Sequence, residues 1–199
     1  MIRVLFVCHG NICRSPMAEF VLKDITQKEN LSNKFYIASA ATSTEEIGNP
    51  VHHGTRNKLR EVGISTAGKY AVQMKKSDYA KYDYLIGMDE WNIRNMNRIT
   101  GHDPDHKICR LLDFSAHPRD IADPWYTGNF EVTYSDIVEG CQAFLETLRR
   151  QKKSSSSTGG GKTISKINTK KGLILCGKVN QKNKQKHPKH PTISVGTLV

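Results

Sequence analysis

The chain has 199 residues, with 30 Lys and Arg against 19 Asp and Glu and a formal net charge of +11, a size that suits one domain with at most an appendage. The excess charge is local: residues 1–150 hold 19 basic and all 19 acidic residues, whereas residues 151–199 hold 11 Lys and no acid, which argues against a whole-body nucleic-acid surface. The longest apolar run near the start, Val4 to Cys8, is too short for a signal-peptide core or a bilayer span, and five scattered Cys without a Cys-x-x-Cys make neither a disulfide framework nor a zinc site, so the expected compartment is the reducing cytoplasm.

Ile2 to Val7 reads as a buried parallel strand. A loop from Cys8 to Arg14 follows, and Ser15-Pro16 predicts a helix cap and first helical residue. Met17, Phe20, Val21 and Ile25 then recur at helical spacing to about Gln27. Phe35 to Ser39 reads as a second strand. Asn49-Pro50 is expected to start a helix carrying Leu59 and Val62 and stopping at Gly63. His52 and His53 fall in its first turns and read as solvent-facing. Ser77-Asp78 opens a short helix, Tyr84 to Met88 is a third strand, and Asp89 caps a helix with Trp91, Ile93 and Met96. Trp91 reads as packing or a rim contact. Lys107 to Leu112 contains a short fourth strand, with Cys109 a small core residue. Glu131 to Arg150 is a long amphipathic helix with Cys141 on its buried face. Strands alternating with helices predict an α/β, three-layer doubly wound domain with a parallel four-stranded sheet over 1–150. In such sheets ligands bind beyond the carboxyl ends of the strands, where Cys8 sits.

Residues 151–199 differ in kind: Lys152-Lys153, four Ser, Thr158 and three Gly, then a Lys-rich stretch without aromatic residues. They read as a Ser/Gly linker and a disordered basic tail. Leu173 to Leu175 and Ile193 to Val199 are weak strand candidates. The tail lacks aromatic platforms for bases and an amphipathic face for a membrane, so neither nucleic acid nor an acidic membrane is an expected partner. Gly159 to Thr163 ends like a nucleotide phosphate loop, but that motif's first Gly falls at Ser156 and no strand precedes it.

The chemistry concentrates in Cys8-His9-Gly10-Asn11-Ile12-Cys13-Arg14-Ser15. A thiol and a guanidinium flank five residues between a strand and a helix. Such a loop can curl so that its amides point inward and make an anion nest, to which the helix adds its positive end. Arg14 supplies a fork matching two phosphate oxygens. Gly10 permits a backbone conformation that a side chain hinders, and Asn11 tolerates left-handed geometry. The same field predicts Cys8 as a thiolate, since helix N-termini and cations bring thiols from a pKa of about 8.5 into the ~3.5–7.5 range. Ser15 can donate a further hydrogen bond to it. A thiolate at the floor of a phosphate-sized cup is a phosphoryl-transfer site. Expelling a phenolate, whose conjugate acid has a pKa of about 10, also needs a proton donor. The candidate is Asp123, in a loop stiffened by Pro124, with Trp125 and Tyr126 able to wall the entrance and stack on a substrate ring.

At these residues the chain resembles the low-molecular-weight protein tyrosine phosphatase family, over Met1 to about Arg150. The likeness rests on Val7 to Pro16, Ser39 to Ser43, Gly48-Asn49-Pro50, Met88-Asp89 and Asp123-Pro124. It implies Cys8 as nucleophile, Arg14 as phosphate clamp and Asp123 as general acid and then base. Ser15 stabilises the thiolate, His9 to Cys13 line the cup, and Asn11 and Ser39 brace the loop. It also implies Cys13 as a second cysteine able to form a disulfide with Cys8 under oxidation. The implied substrates are phosphotyrosine-containing proteins and the product inorganic phosphate, with no cofactor or metal and a monomeric enzyme. Two positions depart from the family: Lys69 stands where a His is frequent, and Trp125 where a Tyr is common.

Three other readings compete. A protein arginine phosphatase on the same fold resembles this chain except that its loop carries Thr where Ile12 stands, and an apolar Ile12 favours an aromatic phosphoester. Arsenate reductase needs a further redox Cys pair, and none lies between Cys13 and Cys109. A thiol redox sensor using Cys8 and Cys13 is compatible with a phosphatase, because an exposed thiolate is also sensitive to peroxide.

Overall fold

A computed structural model of the protein describes residues 1–156, with side chains to Lys153. The weak-strand candidates at 173–175 and 193–199, the 159–163 stretch and the expected tail lie outside them.

Four parallel strands form the sheet: β1 (Ile2–Cys8), β2 (Phe35–Ala41), β3 (Tyr84–Gly87) and β4 (Ile108–Arg110), in the order β2-β1-β3-β4. Connections after β1 go to one side for β2, and the chain then crosses to the other side for β3. The edge order therefore reverses at β1, and the cleft beyond its carboxyl end is where doubly wound sheets bind ligands. Cys8 is the last residue of that strand.

Strand alternation sorts β1 into two faces. Val4, Phe6 and Cys8 belong to one buried cluster with Met17, Val21 and Leu22 of α1 (Arg14–Lys28), and Phe144 and Leu145 of α6 (Phe130–Ser156). Leu5 and Val7 face the other way, into a smaller cluster with Met74, Leu85 and Met96 of α4 (Glu90–Thr100). Both faces of the sheet are thus covered, as the continuous apolar run in β1 requires. Cys109 and Cys141 are both buried, as expected. The Cys141 thiol is pushed well above the ordinary value by burial alone.

Several expected boundaries shift. Ser15 is not a cap: α1 begins at Arg14, with Cys13 at the capping position and no side-chain cap bond. The expected start at Asn49-Pro50 is displaced to α2 (His53–Glu61), because Pro50 is engaged in an isolated bridge with Tyr70. Val62 lies just past that helix and is exposed. Trp91 is exposed rather than packed. α3 (Asp78–Lys81) and α5 (Pro124–Thr127) are single turns. α6 runs past Arg150 to Ser156, so the helix crosses the boundary expected between domain and linker.

Candidate active site

The loop from Cys8 to Arg14 is shaped by what its carbonyls do. Those of Cys8, His9 and Ile12 accept from the backbone N–H groups of Thr42, Ser43 and His52 at 2.9, 3.0 and 2.9 Å. In a planar trans peptide the carbonyl and the next N–H point in opposite directions. Tying these carbonyls outward turns the amides of His9, Gly10 and Cys13 inward. Asn11 takes the left-handed turn this requires, at φ 58°, whereas Gly10 does not adopt positive φ. Space at position 10 is tight instead: a Cβ there comes within 3.0 Å of Glu46 Cγ, so that side chain has to give by a few tenths of an ångström. The inward amides run into the first turn of α1, which holds no acidic side chain. Its positive end is therefore left for an anion.

Cys8 Sγ lies 3.0 Å from Ser15 Oγ. As a thiol Cys8 donates to that oxygen, and a buried polar network lies behind the pair. Asn11 Nδ2 donates to Ser15 Oγ and to Ser39 Oγ, both at 2.8 Å. Ser15 Oγ in turn points its own proton at the Ala40 carbonyl at 3.4 Å, a long bond that it can exchange for one to an ionised sulfur. Ser39 passes its proton to Glu19 Oε2 at 2.6 Å. Asn11 Oδ1 accepts from the Val72 amide at 3.1 Å, so every polar atom of this buried side chain is engaged. Lys69, the departure from the family pattern, completes the brace: its Nζ sits 3.0 Å from the Ser39 carbonyl and 3.1 Å from Glu19 Oε2. Glu19 also meets Lys23 at 2.5 Å. Glu19 gave no sequence signal, since an acid on an amphipathic helix reads as solvated surface.

Arg14 is buried, and its guanidinium bridges two acids. Nη1 donates to Asp89 Oδ2 at 2.5 Å and to the Ile121 carbonyl at 3.1 Å, and Nη2 to Asp123 Oδ2 at 2.5 Å. Burial alone disfavours its charge, but Cys8, Asp123 and Asp89 outweigh that and raise its pKa overall. Its Nε is buried and makes no hydrogen bond among the described residues. A buried orphan donor costs about 1–3 kcal/mol, and it marks the edge of the fork an oxyanion can take. Asp89 was expected only to cap α4. It does so, its Oδ1 accepting from Asn92 N at 2.6 Å, while its other oxygen fixes Arg14. A second carboxylate on the clamp was not legible, because capping alone explains an Asp at that position.

Asp123 caps α5, its Oδ1 accepting from Trp125 N at 3.1 Å. The structure thus links Cys8, Ser15, Asn11 and Ser39 in one hydrogen-bonded network and Arg14, Asp89 and Asp123 in another, the two meeting where Arg14 precedes Ser15 in the chain. The rim residues are looser. Ile12 is buried, whereas Trp125 and Tyr126 are 56% and 84% exposed. The His9 ring points outward to Glu45 at 3.1 Å, so it contributes its backbone to the cup and its side chain to the rim. The Cys13 thiol is pushed up to about 12, mainly by burial and then by Cys8 and Asp123.

Comparison with known proteins gives one result. The family model for low molecular weight phosphotyrosine protein phosphatase matches residues 3–154. A low molecular weight protein-tyrosine-phosphatase of Bacillus subtilis is 43% identical over 154 residues, covering 76% of this chain and 99% of that protein. Its crystal structure superposes with a TM-score of 0.73, over 76% of this chain and 97% of that one. The low molecular weight phosphotyrosine protein phosphatase of Rattus norvegicus is 42% identical over 72% of this chain and 93% of its own length. A Drosophila arginine phosphatase superposes with a TM-score of 0.69 at 29% identity, over 74% of this chain and 98% of that one.

Proposed function

From the premise that this chain belongs to the low molecular weight phosphotyrosine protein phosphatase family, we propose that it hydrolyses phosphotyrosine in proteins through a phosphocysteine on Cys8. The observation that supports this most is the Arg14–Asp123 contact at 2.5 Å. It ties Asp123, far along the chain, to the guanidinium that ends the sulfur-bearing loop.

In the first step the Cys8 thiolate attacks phosphorus in line, and the bond to the phenolic oxygen breaks. Arg14 and the inward amides hold the equatorial oxygens, with Arg14 Nε and Nη2 making the fork. A phosphoryl oxygen on Nη2 takes the place of Asp123 Oδ2. Released from the guanidinium, the Asp123 carboxylate takes up a proton from the bound phosphate monoester monoanion or from solvent, and gives it to the departing phenolic oxygen. In the second step Asp123 takes a proton from water as the water oxygen bonds to phosphorus. The S–P bond breaks, and the sulfur leaves as thiolate, helped by the Ser15 proton. Charge stabilisation comes from the amides and Arg14, so no step calls for a metal. Trp125 supplies a face for the substrate ring.

Phosphoarginine is the second reading. Buried Ile12 offers no hydroxyl to a guanidinium leaving group, which supports the aryl ester. Turnover of phosphotyrosine and phosphoarginine side by side, with Cys8→Ser as blank, tests the choice. Phosphotyrosine is expected to turn over faster, with Cys8→Ser inactive and Asp123→Ala lower by about 10²–10⁴-fold, the usual worth of a positioned acid. Turnover by Cys8→Ser, or faster release from phosphoarginine, overturns the assignment.

A further inference from the structure

The His52 side chain has no role so far, although its backbone already ties the cysteine loop. Its backbone N–H donates to the Ile12 carbonyl at 2.9 Å, one of the three ties that hold the cysteine loop open. Its ring Nδ1 accepts from Gly54 N at 3.2 Å and caps α2. An accepting Nδ1 fixes the neutral ring with its proton on Nε2. The ring then lies parallel to Phe130, with centroids 5.4 Å apart and planes 6° apart, and meets Trp125 edge-on at 5.5 Å and 69°.

Each of these neighbours leads somewhere. Phe130 packs on Ile12, Cys13 and Ala71, against the back of the cup. It also fills the space over Gly54 so closely that a Cβ there comes within 2.4 Å of its ring. Trp125 carries the amide that Asp123 Oδ1 accepts at 3.1 Å. Between them Gly128 turns the chain at φ 67°. The half-exposed Trp125 ring thus meets the His52 ring along one edge.

We propose that His52 is a positioning residue that clasps the acid loop to the cysteine loop, so that Asp123 stands over the leaving oxygen. This rests on the reading of Asp123 as the acid. A loosened clasp leaves the thiolate and Arg14 in place but misplaces the proton. The loss then falls on substrates whose leaving group needs that proton, because displacements of about 1 Å cost up to roughly 10²-fold.

The test is the ratio of kcat/KM for phosphotyrosine, a poor leaving group, to that for p-nitrophenyl phosphate, a good one. His52→Asn keeps a good N-cap and removes the ring. It is expected to lower the phosphotyrosine value about tenfold and the other about twofold or less, with inhibition by inorganic phosphate unchanged. His52→Phe keeps a ring against Phe130 and Trp125 and is expected to retain the wild-type ratio. Asp123→Ala is expected to lower the ratio further, and His52→Asn added to it to lower it no more. Because the readout is a ratio, a loss of folded protein does not move it. An unchanged ratio in His52→Asn beside a lowered one in Asp123→Ala overturns the clasp alone. An unchanged ratio in Asp123→Ala removes the acid role of Asp123, and the clasp with it.

Discussion

Replacing Lys69 by Met removes the cation that closes the loop's brace. Glu19 is 6% exposed at its side chain and Lys69 13%. Stripping one partner from a buried pair costs about 3–5 kcal/mol when the survivor is left alone. Here Glu19 keeps Lys23 at 2.5 Å, but that side chain is 44% exposed, and such pairs contribute only about 0–1 kcal/mol. Lys69 also donates to the Ser39 carbonyl at 3.0 Å, which loses its partner in Lys69→Met. A loss of about 2 kcal/mol is expected, in line with a hydrogen bond to a charged group. In Glu19→Gln the stranded charge is gone but the Ser39 hydrogen bond is still lost, so the same change is expected to cost about 1 kcal/mol rather than about 2. Urea unfolding of the four proteins of this cycle measures the difference. The loop should respond too: with Ser39 released, Asn11 and Ser15 lose their register and kcat falls about tenfold. Additive effects in the cycle, or Lys69→Met within 0.5 kcal/mol of wild type (about the range for an uninvolved surface site), refute the brace.

Other consequences are direct. Iodoacetate at neutral pH is expected to label Cys8 and spare Cys13, whose thiol burial pushes up to about 12; peptide mass spectrometry reads this, and prior labelling of Cys13 contradicts it. The His52 pKa is lowered by burial, then by His53 and Arg56. The folded state therefore binds that proton less readily than the unfolded chain. Stability is expected to fall as pH drops below the ordinary histidine value of about 6.5 toward the lower folded value. His52→Asn should flatten that limb of Tm against pH. Gly54→Ala drives a Cβ within 2.4 Å of the Phe130 ring, and overpacking of this kind costs about 1–3 kcal/mol in urea unfolding. Removal of residues 157–199 is expected to leave kcat/KM unchanged, and a large drop would tie the tail to catalysis.

Much of this molecule is legible in its residues, and the reasons differ from place to place. β1 announces itself because a strand covered on both faces must be apolar throughout. Its junction with α1 is legible because a thiol, an amide and a guanidinium at that spacing have few other uses. Ser15 shows the limit: Ser before Pro is a good cap by propensity, but here the hydroxyl pairs with the sulfur, and the helix starts two residues earlier. Pro50 shows another, since a bridge to Tyr70 holds it in extended backbone that helix signals do not register. Asp89, Glu19 and His52 were hidden for one reason. Each has an ordinary local explanation, as cap, surface acid or exposed ring, and only tertiary contact adds the second role. Lys69 is the converse case. Its departure from the family pattern suggests a weakened brace, whereas the ammonium reaches both Glu19 and Ser39.

The covalent step can be observed directly. Rapid acid quenching of Asp123→Ala during turnover of an aryl phosphate, followed by peptide mass spectrometry, reports where phosphate resides. Phosphate on the sulfur of Cys8 is the predicted result; a phosphorylated Ser15, or turnover with no phosphorylated peptide under conditions that trap one, contradicts nucleophilic attack by that thiolate.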